Sequence, residues 1–184
     1  MIHDAVEYIR KEVRDYLAVT DEEVVAANPH VLKEQENASG AYIGLVRVEE
    51  EPSLRNTEHH VRAGGTTRYQ EPAVFLNLYL LFGFEFESYD ASLMRLSQTI
   101  ELFQSKRVFS ADNDTVSNPF PTDLEKLVFD FHNLNFEQLN HLWGVLGGAY
   151  FPSVLYKVRL VKIRSDADMP APEITSIRMD INQP

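Results

Sequence analysis

The stretch DLEKLVFDFHNLNFEQLNHLWGVLGGAYFPSVLYKVRLVKIR, Asp123 to Arg164, sets the fold class. Leu127, Phe129 and Phe131 fall on one face of a strand from Leu124 to Phe131, at the two-residue period of strand side chains. Asn135 followed by Gln138 is a capping-box pattern: the Asn side chain accepts from a free helical N–H while Gln reaches back. Leu139, Leu142, Trp143 and Leu146 follow at helical spacing, and Gly147-Gly148 ends the helix because glycine accepts the left-handed conformation of such stops. A second strand runs from Pro152 to Ile163, with Val154, Tyr156, Val158 and Leu160 facing one way and Lys157 and Arg159 the other. The block holds a strand, a capped helix, a stop and a strand, and almost no residues that do chemistry.

Outward from this block the pattern repeats. Ile2, Val6, Ile9, Val13 and Tyr16/Leu17 mark an amphipathic first helix, with Asp4 and Glu7 in its first turn. Val24-Val25 reads as a short strand, Asn28-Pro29 as a turn and Ala41 to Glu49 as a β-branched strand. Ala73 to Glu85 places Val74, Leu76, Leu78, Leu80, Phe82 and Phe84 on one face and Phe75, Tyr79 and Leu81 on the other. Apolar residues on both faces imply a central strand covered on both sides. A second helix spans about Ser88 to Ser105 with Leu93, Leu96, Ile100 and Phe103 as its stripe, and Ser110 to Pro121 is a polar loop. The expectation is one α/β (α+β) domain over residues 1–164, a mixed β-sheet flanked by about three helices. Residues 165–184 form a tail with a candidate edge strand at Ile174 to Ile181.

A chain of 184 residues supports one substantial core. With 17 basic against 28 acidic residues the net charge is -11, which disfavours nucleic acid as a partner, since phosphate affinity comes from clustered Lys and Arg. There is no Cys, hence no disulfide framework and no thiolate chemistry. The N-terminus lacks the apolar core of a secretory signal. The longest apolar run, Ala73 to Phe86, is interrupted by Asn77 and Glu85 and falls short of the roughly 20 residues of a membrane helix. The default compartment is the cytoplasm.

Catalytic patterns are missing. His59 and His60 are adjacent, so on a strand they point to opposite faces and do not share a metal. His132 and His141 lack the HExxH spacing, and a hydrolase built on either is the weakest reading. Ser153 sits in no GxSxG elbow, and neither glycine pair matches a phosphate-binding loop. Trp143 at helical spacing with Leu139 and Leu146 reads as core.

Two basic features stand out. The polar stretch at about 51–72 forms an arm in which His59 to Arg62 and Thr66 to Tyr69 flank Gly64-Gly65 as a hairpin. It concentrates Arg55, His59, His60, Arg62 and Arg68, beside Tyr69, and reads equally as a solvated hairpin or a docking arm, because loops of this length are often functional. The second is Lys157, Arg159, Lys162 and Arg164 on the last strand, explained as readily by cross-strand ion pairing as by an interface.

LNLYLLF (Leu76 to Phe82), FQSKRVF (Phe103 to Phe109) and FEQLNHLWGVLGG with PSVLYKVRLV resemble the N-terminal domain of cap proteins from extracellular contractile injection systems, the phage-tail-like particles of the virulence-cassette and antifeeding-prophage type. The resemblance spans Met1 to Arg164 in order and spacing, and is most specific at LNHLWGVLGG and PSVLYKVR. It implies a fold similar to phage tail terminators and a structural, non-enzymatic role. A ring of subunits, usually a homohexamer, closes the distal end of the inner tube and joins it to the sheath. The family offers no catalytic residues to carry over and needs no cofactor or metal. The implied partners are further copies of the chain and the tube and sheath proteins, with no nucleic acid and no membrane insertion. The implied location is cytoplasmic during assembly and then an extracellularly released particle. The interface residues expected on this reading are Arg55, His59, His60, Arg62, Arg68, Tyr69, Lys157 and Arg159. Some members continue into an additional C-terminal region. The rival reading is an adaptor that docks an acidic partner through the basic arm.

Overall fold

A computed structural model describes residues 1–27, 39–51, 60–63, 66–69, 75–147, 150–162 and 169–170. Helix α1 (Ile2–Leu17) buries Ala5, Tyr8, Ile9, Val13 and Leu17, a seam at three- and four-residue spacing. That seam is rotated from the expected one: Tyr8 lies beneath the helix while Tyr16 is exposed. At the start of the helix the Asp4 carboxylate meets the N-terminal amine, and the helix ends at Ala18 with φ 51°, ψ 45°. A turn at Asp21–Glu23 then folds back, and Asp21 Oδ1 accepts from Arg10 (2.8 Å) and Arg14 (2.7 Å).

Strand β1 (Val24–Ala26) pairs in parallel with β2 (Gly40–Glu50), and β2 runs antiparallel to β5 (Phe75–Glu85). Gly40 has no room for a side chain: a Cβ there would lie 2.6 Å from the Glu23 carbonyl oxygen. After β5 come helix α2 (Tyr89–Ser105), a two-residue strand β6 (Val108–Phe109), β7 (Leu124–Phe131), helix α3 (Phe136–Val145) and β8 (Ser153–Lys162). The sheet order is β1-β2-β5-β8-β7-β6, parallel only at β1-β2. β5 is therefore central, as its two apolar faces require. The fold is a single mixed α/β domain. A second, three-stranded sheet has the order β3-β4-β9, formed by His60–Ala63, Thr66–Tyr69 and Met169–Pro170.

Helices α1 and α2 cover one face of the large sheet. Beneath them Leu78, Leu80, Phe82 and Phe84 of β5 meet Val154, Tyr156, Val158 and Leu160 of β8, the alternation anticipated for both strands. Phe103 of α2 stacks on Phe129 of β7 at 4.2 Å and 10° between planes, with Tyr156 edge-on at 4.9 Å. Such aromatic pairs contribute about 1 kcal/mol beyond the area they bury.

The α2 stripe differs from its expected form. Phe103 is buried and Leu96 and Ile100 pack on the core, but Leu93 is 37% exposed and the buried residues are Ser92, Thr99, Leu102 and Phe103. Hydroxyls fit here because their hydrogen bonds stay local. Ser92 Oγ donates to Ser88 O (3.1 Å) and accepts from Phe86 N (3.0 Å), and Thr99 Oγ1 donates to Arg95 O (3.0 Å). A search for apolar periodicity passes over such residues. Phe131, on the same face of β7 as the buried Leu127 and Phe129, is 53% exposed at the end of its strand, edge-on to Tyr156.

Helix α3 packs on the opposite face. Its capping box forms as the sequence requires: Gln138 N donates to Asn135 Oδ1 (2.8 Å) and Asn135 N to Gln138 Oε1 (3.0 Å). Trp143 buries against Leu81 and Leu155, with Leu139, Leu142 and Leu146 half-buried around it. Gly147, at φ 94°, ends the helix. Phe151 then lies over Gly83 so closely that a Cβ would sit 2.2 Å from the ring. The Asn28-Pro29 turn, the Gly64-Gly65 turn and the strand expected at 174–181 lie outside the described residues.

Candidate assembly surface

The face carrying α3 changes character along the strands. Next to the helix it is apolar. Beyond the helix, strand register aligns two cross-strand rows that are polar except at Val128. One row is Arg47, Tyr79, Lys157 and Asp130; the other is Glu49, Asn77, Arg159 and Val128. These side chains interlock. Asp130 accepts from Arg159 (2.8 Å) and from Arg107 (2.7 Å), one arginine on each carboxylate oxygen. Burial opposes ionisation of Asp130, yet the hydrogen bonds from Arg159 and then Arg107 outweigh it and hold the carboxyl below its ordinary range. Tyr79 donates its hydroxyl to Glu49 Oε2 (2.7 Å), and this bond, with burial second, pushes the phenol above its ordinary value. Arg47 pairs with Glu49 and lies 6.0 Å over the Tyr79 ring. Asn77, 2% exposed, donates to Glu51 Oε2 (2.9 Å), while its own Oδ1 has no partner. Lys157 Nζ lies 3.5 Å from Glu51.

The two basic strand residues expected at an interface, Lys157 and Arg159, thus sit in this ionic array, each beside a carboxylate. The arm residues lie elsewhere. His60 and Arg62 are on β3, and Arg68 and Tyr69 on β4, with register pairs His60 to Tyr69 and Val61 to Arg68. Arg55 and His59 fall outside the described residues. A partner for the arm that the sequence did not reveal comes from the tail: β9 pairs Met169 with Tyr69 and Pro170 with Arg68. A two-residue strand carries no periodicity, so no pattern could have announced it.

Chemistry is sparse across the described residues. No group of three or more His, Asp or Glu among them is placed to hold a metal ion. His132 lies edge-on to Tyr79 at 5.1 Å, and His141 is exposed on α3. Among the described residues no helix is long and apolar enough to cross a membrane. What the surface does offer is exposed apolar area in defined places: Leu45, Val46 and Val48 on β2, Phe136 and Val145 at the ends of α3, and Tyr150.

Two solved structures share this architecture. A sheath/tube terminator from the PVC extracellular contractile injection system, in its extended state, matches with a TM-score of 0.63 and 15% identity, over 100% of this chain and 64% of that one. The tube-terminating cap of the anti-feeding prophage matches with a TM-score of 0.65 and 16% identity, over 96% of this chain and 60% of that one. At such identities the likeness is one of fold. The chain spans less than two thirds of either of those chains. Among curated protein sequences none matches. The model of the Pvc16 N-terminal domain, however, matches residues 4–176, from the first turn of α1 to beyond β9, and the chain therefore belongs to the Pvc16 N-terminal domain family.

Proposed function

We propose that this protein is a terminator subunit that caps the inner tube of a contractile injection particle and joins the tube end to the sheath, acting as one member of a ring. The observation that carries the reading is the agreement of the whole fold, β1 to β9, with two terminators of such particles, together with family membership over residues 4–176. A ring subunit needs two unlike surfaces that meet head to tail and close under rotation. A rigid twisted sheet suits that task, because its edges lie on opposite sides of one core. The role is structural, without cofactor, and its partners are the tube, the sheath and further copies of the chain, six in a homohexamer. Assembly is cytoplasmic and the finished particle is extracellular. The arm at about 51–72 and residues 165–184 extend the body at 1–164, and Arg55, His59, His60, Arg62, Arg68 and Tyr69 on the arm serve contacts to the neighbouring subunit or the tube.

The test is particle assembly with and without this chain. Cryo-electron microscopy of purified particles is expected to show a plug at one tube end that disappears, leaving open tubes of irregular length, when the chain is omitted. Particles that end normally without it would overturn the assignment.

A further inference from the structure

The two outer edges of the large sheet are finished differently. At one end, β6 turns Val108 O and Ser110 N outward, and the Asn113 side chain meets both. Its Nδ2 donates to Val108 O (2.8 Å) and its Oδ1 accepts from Ser110 N (3.1 Å), which closes that edge to a further strand. At the other end, β1 stops at Ala26 and Ala27 N adds a last bond to Ile43 O (3.2 Å). Over residues 44–49 no described strand pairs with the outer side of β2, and Leu45 (44% exposed), Val46 (39%) and Val48 (43%) lie there. The ladder on the inner side gives the direction of the main-chain groups. Glu51 N donates to Phe75 O (3.0 Å), so Glu49 and Arg47 also face β5, while Val48 and Glu50 face outward.

An antiparallel strand added here must set outward residues against outward residues, so its possible registers differ in steps of two. When that strand is β2 of a second copy, charge chooses among them. With Val48 opposite Val48, Arg47 of each copy stands opposite Glu49 of the other, at positions where side chains approach most closely. One step to either side sets Arg47 against Arg47 or Glu49 against Glu49, like charges that disfavour the pairing. Arg47 and Glu49 share a face, since they already pair within the chain. The edge is therefore complementary to itself, and we propose that free chains pair through β2 about a twofold axis, joining two large sheets into one. Main-chain bonds centred on Val48 and burial of Leu45, Val46 and Val48 supply the affinity, and the two Arg47–Glu49 pairs fix the register. A twofold contact uses up both edges and stops at two copies, whereas a ring closes head to tail. The pairing thus concerns the chain before it enters a particle and does not rest on the terminator reading.

The sequence has no Cys, so a Val48→Cys chain reports its own pairing without background. Directly opposed Cα atoms in such a ladder lie about 5.5 Å apart, within reach of a disulfide. Under mild oxidation Val48→Cys is expected to form covalent dimers about tenfold or more faster than Asp112→Cys, whose position is exposed in the loop after β6. Charge exchange tests the register. Arg47→Glu sets Glu against Glu49 and Glu49→Arg sets Arg against Arg47, and each alone is expected to raise the dimer Kd about tenfold in sedimentation. Mixed in equal amounts, the two variants are expected to dimerise as the natural chain does, because every Glu then meets an Arg, a rescue that misfolding cannot produce. A chain that stays monomeric up to millimolar concentration would overturn the pairing. So would oligomers that link no faster through position 48 than through 112, or single variants that dimerise normally and respond to nothing on mixing. The particle-end experiment reads the terminator role independently of all three.

Discussion

The two faces of the central sheet are built from the same strands by opposite means. On the face under α1 and α2, β5 and β8 present unbroken apolar rows, capped by the Phe103, Phe129 and Tyr156 cluster. On the other, α3 covers a small patch around Trp143, and beyond it the same strands carry Arg47, Tyr79, Lys157, Asp130 and Arg159 in an ionic array. Burial of apolar area is non-directional and stabilises strongly. Partly exposed ion pairs stabilise little but fix geometry. The contrast teaches that one face holds the fold together, while the other pairs its charges at the surface.

Three substitutions probe this division. Phe103→Ala removes the stacked ring at the centre of the large core and is expected to destabilise by about 4–5 kcal/mol in chemical denaturation. Trp143→Ala empties a core of three buried residues, whose indole N–H already lacks a partner, and is expected to cost about 3 kcal/mol, the low end of its class. A larger loss at Trp143 than at Phe103 would reverse the ranking of the two faces.

The smallest effect is expected in the array. Asp130→Asn leaves Arg159 and Arg107 without their shared charge, and partial exposure of the pairs limits the loss to about 0.5–1 kcal/mol near neutral pH. Its pH dependence is diagnostic. The folded-state pKa of Asp130 is lowered, so its contribution is full above the unfolded value of about 4 and disappears as pH falls through the folded value below it. The natural chain should therefore lose stability on acidification in that window more steeply than the Asn variant, measured by denaturant midpoints at successive pH values. Parallel curves would show that the pairs hold no differential energy.

Local features were legible in the sequence and relational ones were not. The Asn135–Gln138 capping box, the stop at Gly147 and the alternation in β5 and β8 depend on a few neighbouring residues, and each stands as read. The rotated seam of α1, the buried Ser92 and Thr99 and the parallel pairing of β1 depend on what packs against them, information that periodicity does not contain. The same division holds at the surface. Basic residues of the arm and of β8 could be picked out by composition. That Arg159 and Arg107 share Asp130 required the strand order β8-β7-β6, and the open edge of β2 required knowing that β1 stops after three residues.

The position of β5 also constrains how the chain comes into being. Its two ladder partners are β2, made before it, and β8, the last strand of the large sheet to be synthesised. Until β8 leaves the ribosome, the most apolar strand of the protein has one side unzipped, and the row Leu78, Leu80, Phe82, Phe84 lacks its neighbours from Val154 to Leu160. Closure then joins segments far apart in sequence, a slow step with a large loop-closure cost. Exposed apolar strand of this kind is where chains aggregate before folding is complete, and here that strand is the centre of the sheet.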